Sequence, residues 1–331
     1  MAQRQQPDQQ ALFGGCLELE EIDMDFYRGD NLWLPWGSRG VFGGQVVAQA
    51  LVAATKTVSK QYVVHSLHSY FILGGDNSMP IIYQVDRVRN GRNFCTRTVS
   101  ARQKGRTIFT CTCSFQIPRK EAAEHQYKMP NVPDPETLQP QEDLLKEWSH
   151  SKFAPMSFIN YTAMKSGEAL PVDIRAVKHR TAEGYIFPEK APPFQCVLTY
   201  MSDHHLVHTA TIPHGLTFYS YPRSISTLVS LDHSIWFHAP FRADDWLLYD
   251  MESPRSCDGR GLAFGRFYNQ RGVLVASVAQ EGLILDHKTP ESIGRELSIR
   301  TTDAKAVAEE SEKESQSRQQ AIQIERPQPK L

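Results

Sequence analysis

VSLDHSIWFHAPFRADDWLLYDMES, residues 229–253, decides the fold, because VHSLHSYFILGGDNSMPIIYQVDRV, residues 64–88, follows the same plan half a chain earlier. Each stretch opens on a His-Ser-aromatic run of strand-like composition, crosses a short polar loop and re-enters an apolar run. Tyr83 in the first run stands where Tyr249 stands in the second. Self-similarity at an offset of roughly 165 residues marks an internal duplication.

The echo extends outward on both sides. FGGQVVAQALVAATKTV, residues 42–58, is apolar around much of a helical circumference, and its small residues Ala48, Ala50, Ala53 and Ala54 allow close approach, so a buried helix is expected. Runs rich in Val, Ile, Phe, Tyr and Thr follow at 63–73, 80–89, 93–103 and 106–117, with turns expected at Asn90-Gly91 and Lys104-Gly105. The plan restarts at FQCVLTYMSDHHLVHTA, residues 194–210, read as the second helix. Strands are expected at 226–237, 245–253, 260–270 and 272–285, broken at Arg260-Gly261 and Arg271-Gly272. Each copy thus reads as an antiparallel sheet wrapped around one long helix, an α+β architecture in which two copies side by side can pair edge strands. The organisation follows: a disordered lead over 1–16, a first repeat over 17–117, a Pro-rich linker over 118–182, a second repeat over 183–288 and a polar, disordered tail over 289–331.

Composition narrows the function classes. The 331 residues carry 36 Lys+Arg against 37 Asp+Glu, a balance that offers no general attraction to nucleic acid or to an anionic membrane. An acidic ligand would need a local basic cluster, and the Arg and Lys residues between 87 and 106 are the pool for it. No apolar run reaches the ~20 residues a membrane-spanning helix needs, and the first ten residues lack the marks of a signal peptide. The six cysteines include no CxxC pair and read as reduced structural thiols. The chain closes on Pro329-Lys330-Leu331, one residue away from the Ser-Lys-Leu peroxisomal address, so a peroxisomal location is expected, or a cytoplasmic one if that ending is not read.

Missing motifs prune the chemistry further. GxSxG, GxxxxGK[ST] and GxGxxG do not occur in a usable context, which removes α/β-hydrolases, P-loop enzymes and Rossmann dehydrogenases. His204-His205-x-x-His208 imitates HExxH without its glutamate, so no metal is expected. Asp203 follows Tyr200-Met201-Ser202 in apolar company, where a carboxylate is costly unless it is paired or faces a wet pocket; it reads either as a local cap or as a pocket acid. Ser230 and Gln280 stand in similarly apolar surroundings. Gln280 alone reads more simply as an edge amide, but the three together suggest one pocket.

VFGGQVVAQAL (41–51), VHSLHSYFILGGD (64–76), YMSD (200–203), SLDHSIWFHAPFRADDWLLY (230–249) and GVLVASVAQEG (272–282) resemble the acyl-CoA thioesterase II family, and with the terminal tripeptide its peroxisomal members. The likeness covers residues 17–285. It implies a double hotdog fold, hydrolysis of acyl-CoA thioesters without a cofactor or metal, and assembly as a homo-oligomer with a peroxisomal import receptor as partner. In that family an Asp on the second helix, a Ser or Thr before Asp-His-Ser, and a Gln before Glu-Gly position the hydrolytic water, which carries over to Asp203, Ser230 and Gln280. Asp232 and His233 are expected to be structural, and Gln49 to stand where Asp203 does in a catalytically silent first copy. The alternatives are a non-catalytic acyl-CoA binder and a hotdog dehydratase.

Overall fold

The computed structural model describes residues 15–35, 37–119, 123–152, 154, 156–165, 172–177, 182–186, 194–216 and 225–286. The first repeat opens with a hairpin of β1 (Glu20–Asp23) and β2 (Phe26–Gly29), turned at Asp25 with φ +64°. Helix α1 (Gly43–Lys56) follows, and then the strands β3 (Val63–Phe71), β4 (Ile81–Asn90), β5 (Phe94–Gln103) and β6 (Arg106–Gln116). In the second repeat α4 (Phe194–Ser202) precedes β9 (Ile225–Ser230), β10 (Asp232–Phe237), β11 (Leu247–Cys257), β12 (Arg260–Asn269) and β13 (Leu274–Asp286). Between the repeats lie α2 (Gln141–Ser149), α3 (Met156–Lys165), β7 (Asp173–Ala176) and β8 (Ala182–Ile186).

The thirteen strands among the described residues form one sheet, in the order β1-β2-β4-β5-β6-β3-β10-β13-β12-β11-β8-β7, with β9 also paired to β13. The repeats join where β3 pairs antiparallel with β10, so the two echoing His-Ser segments lie against each other. His68 faces Ser234 across that seam, 166 positions on, the same spacing that separates Tyr83 from Tyr249. A local two-fold axis therefore passes between His68 and Ser234, and edge pairing removes two exposed edges at once.

Helix α1 is buried from Gly44 to Ala54, as its composition demands. Val47 and Leu51 are fully sealed, and burying each such side chain contributes roughly 1.5–3 kcal/mol. Gln45 and Gln49 lie in the same buried surface and are satisfied locally. Gln45 donates to the carbonyls of Cys16 and Asn31 and accepts from Trp33 N–H; Gln49 donates to Cys16 and accepts from the Tyr83 hydroxyl at 2.7 Å. Cys16, assigned above to a disordered lead, is thus tied to the core by its carbonyl.

Three expectations change. The second helix stops at Ser202 instead of running to residue 210; Asp203 and His204 turn out of it, His205 takes φ +63°, and a 3-10 segment covers Val207–His214. The segment read as a linker contributes β7 and β8, which pair with each other and carry the sheet past β11, so 118–182 is not wholly outside the second repeat's sheet. Strands of four and five residues give too short an alternation to be seen among prolines and charges. The β11–β12 turn falls at Asp258-Gly259, where both residues have positive φ, and not at Arg260-Gly261, which begins β12. The tail over 289–331 lies outside the described residues.

Candidate active site

Four elements meet at one point. Helix α4 ends and delivers Asp203, β9 ends at Ser230, β13 carries Gln280, and the first turn of α1 brings Gly43 and Gly44 from the other repeat. Gln280 Nε2 donates to Asp203 Oδ1 at 2.5 Å and to Ser230 Oγ at 2.8 Å. Ser230 Oγ donates to the same Asp203 oxygen over a longer 3.4 Å. The second carboxylate oxygen, Oδ2, accepts Gly44 N–H at 2.7 Å. The three residues named from sequence are therefore in direct mutual contact, although they are drawn from a helix end and two strands.

The Gly44 bond has a double effect. The N-cap of α1 is Phe42, which has no side chain able to accept, so the carboxylate of Asp203 caps a helix belonging to the opposite repeat. A carboxylate at the positive end of a helix dipole is a favourable arrangement. Both glycines are required by the close approach. A Cβ on Gly43 would sit 2.9 Å from Asp203 Oδ2 and 3.0 Å from the Phe71 ring, and one on Gly44 would run into the carbonyl oxygen of Tyr200. Sequence reading saw the Gly-Gly pair but named no contact for it; the missing signal was the cross-repeat packing of α1 on α4.

Neighbouring polar groups hold the frame. Asp232 Oδ1 accepts Glu281 N–H at 2.7 Å, pinning β13 one residue beyond Gln280, and Leu231 N–H donates to the carbonyl of Glu281. Tyr249 donates to the carbonyl of Ser202 at 2.6 Å, fixing the turn that presents Asp203. His233 is fully buried, with Nε2 2.8 Å from Ser202 Oγ. An imidazole sealed in this way does not face a substrate, so it cannot serve as the open histidine a dehydratase needs.

The two-fold axis defines a counterpart of this site in the first repeat. Val64 pairs with Phe115 as Ser230 pairs with Gly282, so Val64 stands for Ser230 and Cys113, two positions before Phe115, for Gln280. A cavity of ≈ 170 Å³ opens there between the end of α1 and the start of α4, lined by Thr55, Tyr62, Val64, Phe115, Gln195 and Cys196, among others. Among the described residues, no carboxylate lines it. Gln49 is not the stand-in for Asp203: it is a full turn and more back along α1, bonded to Tyr83 and Cys16. Burial pushes the Cys196 thiol up to about 12, which leaves it protonated and without nucleophilic character.

The basic pool between 87 and 106 is partly committed elsewhere. Arg87 is paired with Asp25, Lys104 with Asp76, and Arg97 is buried with its guanidinium bonded to the carbonyls of Thr57, Arg89 and Thr96. These three are therefore poor candidates for holding the phosphates of an acidic ligand.

Residues 167–283 match the acyl-CoA thioesterase family profile, and residues 32–116 match the profile of the acyl-CoA thioesterase N-terminal domain. Over 284 residues the chain is 40% identical to acyl-coenzyme A thioesterase 8 of Homo sapiens, an alignment covering 81% of this chain and 87% of that one. The chain belongs to the acyl-CoA thioesterase family. Peroxisomal acyl-coenzyme A thioester hydrolase 1 of Saccharomyces cerevisiae is 31% identical over 309 residues, covering 76% of this chain and 87% of the yeast protein. Among solved structures, the acyl-CoA thioesterase II TesB2 of Mycobacterium marinum superposes with a TM-score of 0.64 at 32% identity, covering 84% of this chain and all of that one. The architecture is accordingly the double hotdog of this acyl-CoA thioesterase family.

Proposed function

We propose that this chain hydrolyses acyl-CoA thioesters to a free fatty acid and CoA by direct attack of water, with Asp203, Ser230 and Gln280 as the residues that position and activate it. The observation that carries this reading is the convergence of one hydroxyl and one carboxamide on a single carboxylate oxygen, Asp203 Oδ1. A water bound beside the Ser230–Asp203 pair can be held by the carboxylate oxygen and the hydroxyl together. From there Asp203 takes a proton as the water oxygen attacks the thioester carbon. The C–S bond breaks in the following collapse, and the proton leaves with the CoA thiolate. An ionised carboxylate is a weak base, so general-base help of this kind is worth ~10²–10⁴ in rate. Fixing the water by two further groups reduces the entropy lost in reaching attack geometry.

A thiol-reactive dye reports the CoA released when purified protein meets acyl-CoAs of increasing chain length. Release of free thiol is expected across part of the series, and its absence from every member would favour a binding protein. In a single turnover in ¹⁸O-water the fatty acid should carry label with no acylated side chain; trapping such an adduct overturns direct attack.

The peroxisomal matrix is proposed as its place of action, supported by the name of the yeast relative. We propose in addition that Pro329-Lys330-Leu331 is read by the import receptor. A fluorescent protein fused ahead of the full chain should collect in peroxisomes and become diffuse when those three residues are removed. Unchanged punctate signal would count against the tripeptide.

A further inference from the structure

His233 and Gln280 are both fully buried, and each holds one polar atom, Nδ1 of the imidazole and Oε1 of the amide, with no hydrogen-bond partner of good geometry. A buried acceptor left unmatched costs roughly 1–3 kcal/mol. Both N–H bonds of the Gln280 amide are already directed, one to Asp203 Oδ1 and one to Ser230 Oγ. That orientation is the only one compatible with an ionised Asp203, because the reversed amide would set Oε1 against a carboxylate oxygen at 2.5 Å. Its carbonyl oxygen must therefore point away from Asp203, into the interior.

The imidazole offers the matching donor in only one of its neutral forms. Burial pushes the His233 pKa down, opposed by the nearby Asp203 charge, the Gln280 side chain and Asp232, so the ring is neutral and has a single N–H. If that proton were on Nε2, it would go to Ser202 Oγ, and Nδ1 and Gln280 Oε1 would be two lone pairs facing an apolar interior. With the proton on Nδ1, Ser202 Oγ, 2.8 Å from Nε2, donates to the ring, and Nδ1–H is left to donate to Gln280, which lies across the ladder from His233 because Ser234 pairs with Ala279. Only the carbonyl of Thr199, the other group within 2.8 Å of Ser202 Oγ, then loses a donor. The same ring thereby grips Ser202, the residue immediately before Asp203.

We propose that His233, in its Nδ1–H form, is a positioning residue that holds the Gln280 carboxamide with its NH₂ group toward Asp203 and Ser230. This rests on the assignment of those three residues as the hydrolytic site. His233 touches no reacting atom; it acts by preventing the amide from turning over.

Two substitutions separate this role from packing. In His233→Asn the side-chain NH₂ lies where Nδ1 was, and in His233→Gln the amide reaches instead toward Ser202. His233→Gln is expected to lower kcat by about 10- to 100-fold with KM changed less than about threefold, as befits a misaligned water. His233→Asn should recover most of that loss even though it gives up the Ser202 contact. A kcat for His233→Gln equal to or above that of His233→Asn overturns the proposal. In the unmodified protein, ¹⁵N–¹H correlation of the imidazole supplies a measurement independent of any variant's folding: an Nδ1–H pattern supports the assignment and an Nε2–H pattern overturns it. If Asp203→Asn keeps full turnover, the site assignment itself fails; if it is inactive while His233→Gln outperforms His233→Asn, only the role of His233 fails.

Discussion

Asp203→Asn is expected to reduce kcat for acyl-CoA hydrolysis by about 10²–10⁴, the range over which a positioned general base contributes. Asparagine keeps the shape and removes the charge, so it cannot take the proton of an attacking water. It also disturbs its neighbours. Asp203 accepts from Gly44 N–H through one oxygen and from Gln280 and Ser230 through the other, whereas asparagine has a single acceptor oxygen. One donor must then face an NH₂ group, at a cost of roughly 1–3 kcal/mol. A modest fall in Tm should therefore accompany the loss of turnover, with KM little changed. Activity within a factor of three of the unmodified protein would remove Asp203 from the mechanism.

Gly44→Ala should be nearly as damaging to activity through a different cause. On propensity alone alanine favours the helix by up to about 1 kcal/mol. Here, however, the added methyl would meet the carbonyl oxygen of Tyr200 and the edge of the Phe42 ring, and a backbone carbonyl cannot swing aside as a flexible side chain can. Overpacking of this kind typically costs ~1–3 kcal/mol, so the steric effect wins and the protein loses stability. Helix α1 must move away from α4, which pulls the Gly44 amide from Asp203. Displacing a catalytic group by about 1 Å can cost ~10²-fold, and a loss of that order in kcat is expected. Kinetics and thermal unfolding on the same preparation check both parts. A variant more stable than the parent with full activity would show that α1 and α4 are not held at this contact.

The duplication, the two buried helices and most of the strands were legible because their signals are long: runs of ten or so residues with a consistent apolar pattern, repeated at a fixed offset. Asp203, Ser230 and Gln280 were legible for another reason, each being a polar side chain in an apolar setting, and the resemblance gave them a common role. Three features could not be read. The end of α4 at Ser202 is followed by His205 in a left-handed backbone conformation, which histidine adopts more readily than most residues but too rarely to mark a helix end. Strands β7 and β8 are four and five residues long and are stabilised by an edge supplied from β11, far along the chain. The Gly44 amide is a backbone group, and nothing in its side chain says that it will meet a carboxylate 159 positions away. The misplacement of Gln49 has the same origin, since helices of fourteen and nine residues cannot be aligned by composition alone.

The pairing of β3 with β10 bears on how such a protein can change over time. Because like meets like about His68 and Ser234, the seam is what two identical subunits would form, yet here both sides lie on one chain and are free to vary separately. A substitution that erases an acid in one half no longer erases it in the other. Freed from that constraint, the leading half has Val64 and Cys113 where the trailing half has Ser230 and Gln280, and it reaches across the divide by lending the tip of a helix to its sibling's carboxylate.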